Sequence, residues 1–125
     1  MNAPDRFADE YVQLWNEADP SRRAESIARL WIPEGRHFVR TLEVRGYAQL
    51  EQRVAGSHEK NVRDGGFRFR RAGDVQALQD SLMFHWEMVL AGTDAVAALG
   101  VEFMLLGPDG RIRTDYQFVL PTPVA

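Results

Sequence analysis

The sequence predicts an α+β fold, with helices first and an antiparallel sheet after them. Three observations carry that expectation. Apolar residues recur at helical spacing as far as His58, and from Phe67 onward they alternate. Turn signals then arrive at regular intervals: Gly73-Asp74, Ala91-Gly92-Thr93-Asp94 and Gly107-Pro108-Asp109-Gly110. The expected order is α-α-β-α followed by a four-stranded antiparallel meander, in one domain over residues 1–125.

Phe7, Tyr11, Leu14 and Trp15 share one face of an amphipathic helix over Ala3 to Glu17. Asp19-Pro20 opens a second helix, with Asp as N-cap and Pro at the first position, where its missing N–H costs nothing. Ile27, Leu30 and Trp31 are its apolar positions and Pro33 closes it, which puts Trp31 in the last turn against a breaker. Such an indole either plugs a core or lines a hollow.

Arg36 to Val44 alternates and reads as a strand. A third helix follows Gly46, with Tyr47, Leu50, Val54 and His58 on one stripe, and ends at Asp64-Gly65-Gly66. The meander is expected at 67–71, 75–90, 95–106 and 112–120, with a turn at Gly73-Asp74 and Pro121 and Pro123 after the last strand. The longest strand is apolar on both parities, with Leu82, Phe84, Trp86 and Met88 on one and Met83 and Val89 on the other. One sheet face takes the helices. The other is expected to meet a second copy of the chain, because three helices cannot cover both sides.

Several functional classes drop out on composition. There is no Cys, hence no disulfide framework and no thiolate metal site. Absence of HExxH, GxGxxG, GxxxxGK[ST] and GxSxG removes the usual zinc, nucleotide and nucleophile-elbow signatures, so no metal and no cofactor are expected. The charged N-terminus and the lack of a long apolar run predict a cytoplasmic protein without membrane contact. Net charge is −3, and the one basic run, FRFRR at 67–71, reads as an alternating strand and not as a nucleic-acid site.

Candidate chemistry rests on few groups. His58, beside Glu59 and Lys60, is expected on a helix surface. His85, mid-strand in a two-sided sheet, is the imidazole expected to be buried with a partner. Asp80, Glu87, Glu102 and Asp115 fall on expected strands, where carboxylates are unwelcome. A buried Asp115 would be raised toward neutrality, as a general base beside a carbonyl requires. Tyr11 could then stabilise an enolate oxygen. A wet strand end with an Arg partner is the alternative for Asp115.

The segments YVQLWNEAD, RRAESIARLWIPEG, RGYAQLEQRV, FHWEMV and GPDGRIRTDYQF, in this order over residues ~7 to 120, resemble the SnoaL-like, or nuclear transport factor 2-like, superfamily. The resemblance implies a cone-shaped α+β roll, a curved sheet wrapped on three helices around an open pocket, with sheet-to-sheet homodimers common. It places Trp15 and Trp31 near that pocket. SnoaL-like polyketide cyclases carry a catalytic Asp on the last strand. Laid on GRIRTDYQF, that position falls on Gln117, which cannot act as a base, so the cyclase mechanism does not transfer. Nor do the residue sets of ketosteroid isomerase, scytalone dehydratase or limonene epoxide hydrolase map onto this chain, and fold alone does not fix function.

Sequence and resemblance together lead to a small, mostly apolar ligand in the cone, with Tyr11, Trp15, Trp31, His37 and Gln117 on its wall. Any chemistry is expected to be cofactor-free isomerisation, cyclisation or hydration, with Asp115 as base and His85 or His37 as partner. The alternative is a non-catalytic ligand-binding or dimerisation module, without nucleic acid as partner.

Overall fold

A computed structural model describes residues 3–121, so Met1, Asn2 and Pro123 lie outside the described residues. Helices α1 (Ala3–Leu14), α2 (Pro20–Leu30) and α3 (Gly46–Ser57) pack on a six-stranded sheet of β1 (Trp31–Val39), β2 (Leu42–Arg45), β3 (Phe67–Leu78), β4 (Ser81–Leu90), β5 (Val96–Leu106) and β6 (Ile112–Leu120). The sheet order is β2-β1-β6-β5-β4-β3. It is curved and unclosed, with β2 and β3 at its edges. The four C-terminal strands form the expected antiparallel meander, whereas β1 runs parallel to β6 and is flanked by the short β2.

Asp19 caps α2 as its sequence suggests: its side chain accepts a hydrogen bond from the Ser21 backbone N–H at 2.9 Å, with Pro20 in the first turn. The end of α2 differs from expectation. Trp31 does not close a helical turn. It caps the helix through its N–H to the Ile27 carbonyl and is the first residue of β1. Pro33 and Gly35 lie inside that strand, at a register shift against β6 where the ladder is already interrupted. Gly35 is there for space, because a Cβ would come within 2.6 Å of the Trp31 indole folded back over it.

The other boundary corrections are local. Gly73 does not make a turn. It sits at a bulge inside β3 with φ of 75°, and the chain reverses at Gln79-Asp80. Beyond Ser57 the third helix continues as a π-helix, His58–Asp64. His58, expected on the surface, is buried there. Burial holds its pKa below the usual imidazole range, with the Arg23 and Arg63 charges acting in the same direction.

The core lies between the helices and the concave sheet face. Tyr11, Leu14, Ile27, Leu30, Trp31, Leu50, Phe84, Met104 and Ile112 are its fully buried large side chains. Asn16 docks α1 onto the edge of β3: its side-chain amide donates to the Phe69 carbonyl at 2.7 Å and accepts the Phe69 N–H at 2.8 Å, as a strand partner would. Arg71 of β3 adds an ion pair to Asp9 at 2.8 Å. Together these contacts fix how Tyr11 and Trp15 enter the interior.

Candidate functional site

Four polar side chains from four elements meet at the centre of the concave face. His37 on β1 and Asp115 on β6 are register partners, and His37 Nδ1 lies 2.8 Å from Asp115 Oδ2. Tyr11, one helical turn before Trp15, donates its phenol hydrogen to the same Oδ2 at 2.5 Å. The phenol oxygen is 3.1 Å from Glu102 Oε2, on the neighbouring strand β5. Trp86 of β4 donates its indole N–H to Glu102 Oε1 at 2.9 Å. Tyr11, His37, Glu102 and Asp115 are each at most 1 % exposed, so these bonds form almost without water.

Small residues and strand alternation set this geometry. Gly100 and Trp86 face each other across β4 and β5, and a Cβ on Gly100 would collide with the indole and with the Phe118 carbonyl. Only Gly leaves room for the ring there, from where it reaches Glu102. Gly100, Glu102 and Met104 share the inward parity of β5, which carries the carboxyl into the core.

The two carboxyls cannot both be ionised at this separation in a dry interior. Burial, reinforced by the Asp115 charge, pushes Glu102 well above the usual carboxylate range. Burial acts on Asp115 too, but there it is outweighed by the hydrogen bond from Glu102, the His37 partner and the Tyr11 hydroxyl, which hold it low. Asp115 is therefore the anion and Glu102 keeps its proton. Burial and the two adjacent carboxyls raise the Tyr11 phenol well above its ordinary value, so it too stays protonated. An ionised Asp115 can only accept, so His37 Nδ1 carries the hydrogen between them. The raised carboxyl expected at Asp115 is thus found at Glu102. Among the described residues His37 Nε2 and Asp115 Oδ1 are buried without a hydrogen-bond partner.

His37, Glu102 and Asp115 each offer a ligand atom within 4.8 Å of the others. Tyr11 already occupies the space between the two carboxyls, and Glu102 would have to surrender its proton to coordinate an ion. The group therefore fits a proton-sharing cluster better than a cation.

An open cavity of about 610 Å³ reaches this cluster from the side of α3. Tyr11 and Glu102 stand on its wall with Trp15, Trp86 and Gln117, while Asp115 and His37 lie behind them. Gln117 is the register partner of Glu102, so the acid of this wall sits one strand away from the position where the cyclases carry theirs. Val12, Phe69, Met88 and Ala98 make the rest of the wall largely apolar, and Arg40, Arg53 and Lys60 add three cations.

Two expected site residues lie elsewhere. Trp31 is a core residue, fully buried and absent from the cavity wall. His85 is exposed: its strand neighbours Phe84 and Trp86 turn inward, so it occupies the opposite, convex face. Glu102, Trp86 and Arg53 were not singled out as site residues from sequence. Glu102 shares its parity with Gly100 and Met104, but that this parity faces inward follows only from the strand register.

The sequence matches no protein-family profile and no curated protein. Solved structures do match. A SnoaL-like protein from Agrobacterium tumefaciens, provisionally named an isomerase, superposes with a TM-score of 0.86 at 23% identity, covering 97% of this chain and 100% of that one. A SnoaL-like protein of unknown function from Burkholderia thailandensis gives 0.71 at 15% identity over 97% and 99% of the two chains. A protein from Sinorhizobium meliloti, provisionally named a polyketide cyclase, gives 0.69 at 8% identity over 94% and 99%.

Proposed function

We propose, from the SnoaL-like (nuclear transport factor 2-like) fold that this chain adopts and from its buried acid cluster, that the protein binds a small molecule in the cone and transfers protons to it without a cofactor. The observation that carries this reading is that Glu102 and Tyr11 reach the cavity wall, with Asp115 directly behind them in the same hydrogen-bonded cluster. A carbonyl oxygen of the ligand accepts from Glu102, which steadies the negative charge that develops there when an adjacent C–H is broken. Asp115, with His37 oriented against it, is the base, and the departing proton reaches it through the Tyr11 hydroxyl. The reaction class is isomerisation, cyclisation or hydration beside a carbonyl, in line with the provisional names of two structural relatives.

Hydrogen–deuterium exchange at carbon, followed by NMR over a panel of enolisable ketones and esters, tests the reading. The wild-type chain should exchange a compound that it also binds. Asp115→Asn and Glu102→Gln should slow that exchange by two orders of magnitude or so while circular dichroism shows the fold intact. Binding without any exchange would instead favour a non-catalytic binding module, the reading that Gln117 on the wall supports.

We also propose a second copy of the chain as partner for the convex face. Phe38 stacks on Tyr116 at 5.4 Å between centroids, Phe103 lies 6.4 Å from the same ring, and Met83 continues the row across β4. Phe118 beside them is 54 % exposed. Sheet-to-sheet pairing would cover this stripe.

A further inference from the structure

We propose that the ligand of the cavity is an amphipathic anion: an apolar body seated between Trp15 and Trp86, carrying an oxyanion that Arg53 and Arg40 hold at the mouth, with Lys60 beside them. This rests on reading the cavity as a small-molecule site, and it names the charge of the molecule that site takes.

The cavity is electropositive in a chain whose net charge is −3. Arg40, Arg53 and Lys60 all stand on its wall, and Glu102, the one carboxyl there among the described residues, holds its proton. None of the three cations has a carboxylate within ion-pair distance among the described residues. Elsewhere Arg22, Arg29, Arg63, Arg70, Arg71 and Arg111 are so paired and other arginines are not, so what marks this place is three such cations gathered on one wall. A fixed cationic wall beside an apolar interior attracts and holds anions.

Arg53 shows this most directly. It comes from α3, is half-buried, and lays its guanidinium over the Trp15 ring at 5.0 Å. Its Nε is buried without an acceptor among the described residues. Burial, together with the Arg40 charge, pushes its pKa down, so the cation is kept here against its own solvation. A planar guanidinium pinned on an indole offers its remaining N–H groups in one plane, the geometry that grips an oxyanion with two bonds.

Arg40 breaks a local rule in the same place. It occupies the two-residue connection between β1 and β2 with φ of 51°, a left-handed position where Gly or Asn is the usual choice. Gln79 departs likewise at the β3–β4 reversal, so what matters here is that the Arg40 turn places its side chain on the cavity wall. From the other side, the π-helical continuation of α3 brings Lys60 and Asn61 to the rim, in phase with Arg53 and Ser57.

The test uses the whole chain and two fluorescent probes with one skeleton: anilinonaphthalene sulfonate and phenylnaphthylamine, which lacks the sulfonate. The sulfonate should bind about tenfold tighter, and its advantage should shrink when salt is raised from about 50 to about 500 mM. Arg53→Met should cost the sulfonate about tenfold and leave the neutral probe within about twofold. Arg40→Gly should weaken the sulfonate more modestly while the melting temperature holds or rises, because Gly relieves the left-handed backbone. Equal affinity for the two probes, or equal losses in Arg53→Met, overturns the anion and leaves the cavity reading intact. Binding of neither probe, or binding that survives filling the cavity by Ala98→Trp, overturns both.

Discussion

On its concave face the sheet buries two carboxyls, an imidazole and, through α1, a phenol. On its convex face it leaves Phe118 more than half exposed, with Phe38, Tyr116 and Phe103 in a row beside it. Each face thus reverses the usual distribution, in which charge stays wet and large rings stay dry. Neither reversal helps an isolated chain to fold. A buried carboxylate costs several kcal/mol before its partners repay it, and exposed rings forgo burial. On the function proposed above, the difference lies in what each face awaits: protons and a ligand on one side, a second apolar surface on the other.

The largest expected effect breaks the concave face. Tyr11→Phe removes the hydrogen bond to ionised Asp115 and leaves that anion short of a donor, which should cost about 3 kcal/mol in urea denaturation. In an Asp115→Asn background the same change should cost about 1 kcal/mol, since the acceptor is then neutral. Equal costs in the two backgrounds would mean that Asp115 is not where the charge resides.

A pH series sharpens the same point. The folded-state pKa of Glu102 is raised, so the stability tied to its proton is complete below the unfolded carboxyl value. It is lost as pH rises toward the folded value. Asp115 is depressed, so its contribution is present above the unfolded value and disappears only in acid. Between those limits, from about pH 5 upward, the folding equilibrium of the wild-type chain should fall relative to Glu102→Gln by up to about tenfold per pH unit. Parallel curves for the two proteins would remove the proton from Glu102.

Much of the fold was legible because period and punctuation are local. The Asp19-Pro20 cap, the stripe from Tyr47 to Val54 and the Gly107–Gly110 reversal each follow from a few adjacent residues. The places that misled were those where a distant contact decides. Gly73 reads as a turn, yet pairing with β4 carries the strand through it as a bulge. Trp31 reads as helical, yet an indole folded over Gly35 starts a strand. In the site, Asp115 and Tyr11 could be proposed from residue type. Glu102 could not be preferred over Asp80 or Glu87 without the β5–β6 register that sets it against Gln117 and near Asp115. His58 and His85 exchanged expected environments for the same reason. Charged neighbours did not keep His58 out, and apolar neighbours did not draw His85 in, because parity and helix phase fix the direction of each ring.

The convex face should respond in association and not in folding. Phe118→Lys places a charge in the apolar stripe and should convert a sedimenting dimer to monomer, while urea denaturation shifts by about 1 kcal/mol or less. A monomeric wild-type protein would leave the exposed rings without their proposed partner. A Phe118→Lys protein that unfolds would instead make that face part of the core.

The smallest effect is expected at His85, and it tests whether the two faces are independent. His85 pairs in register with Val101 on the convex side, whereas its neighbour Phe84 pairs with Glu102 on the concave side. The sheet itself therefore stands between the imidazole and the acid cluster. His85→Gln keeps a polar side chain of similar reach, so stability should stay within about 0.5 kcal/mol. Carbon-exchange rates and probe affinity in the cavity should be unchanged, and any shift should appear in the dimer constant alone. A loss of exchange in a His85→Gln protein that still dimerises would mean that the convex face enters the chemistry, through the second copy or through the sheet, and the division of labour between the faces would fall.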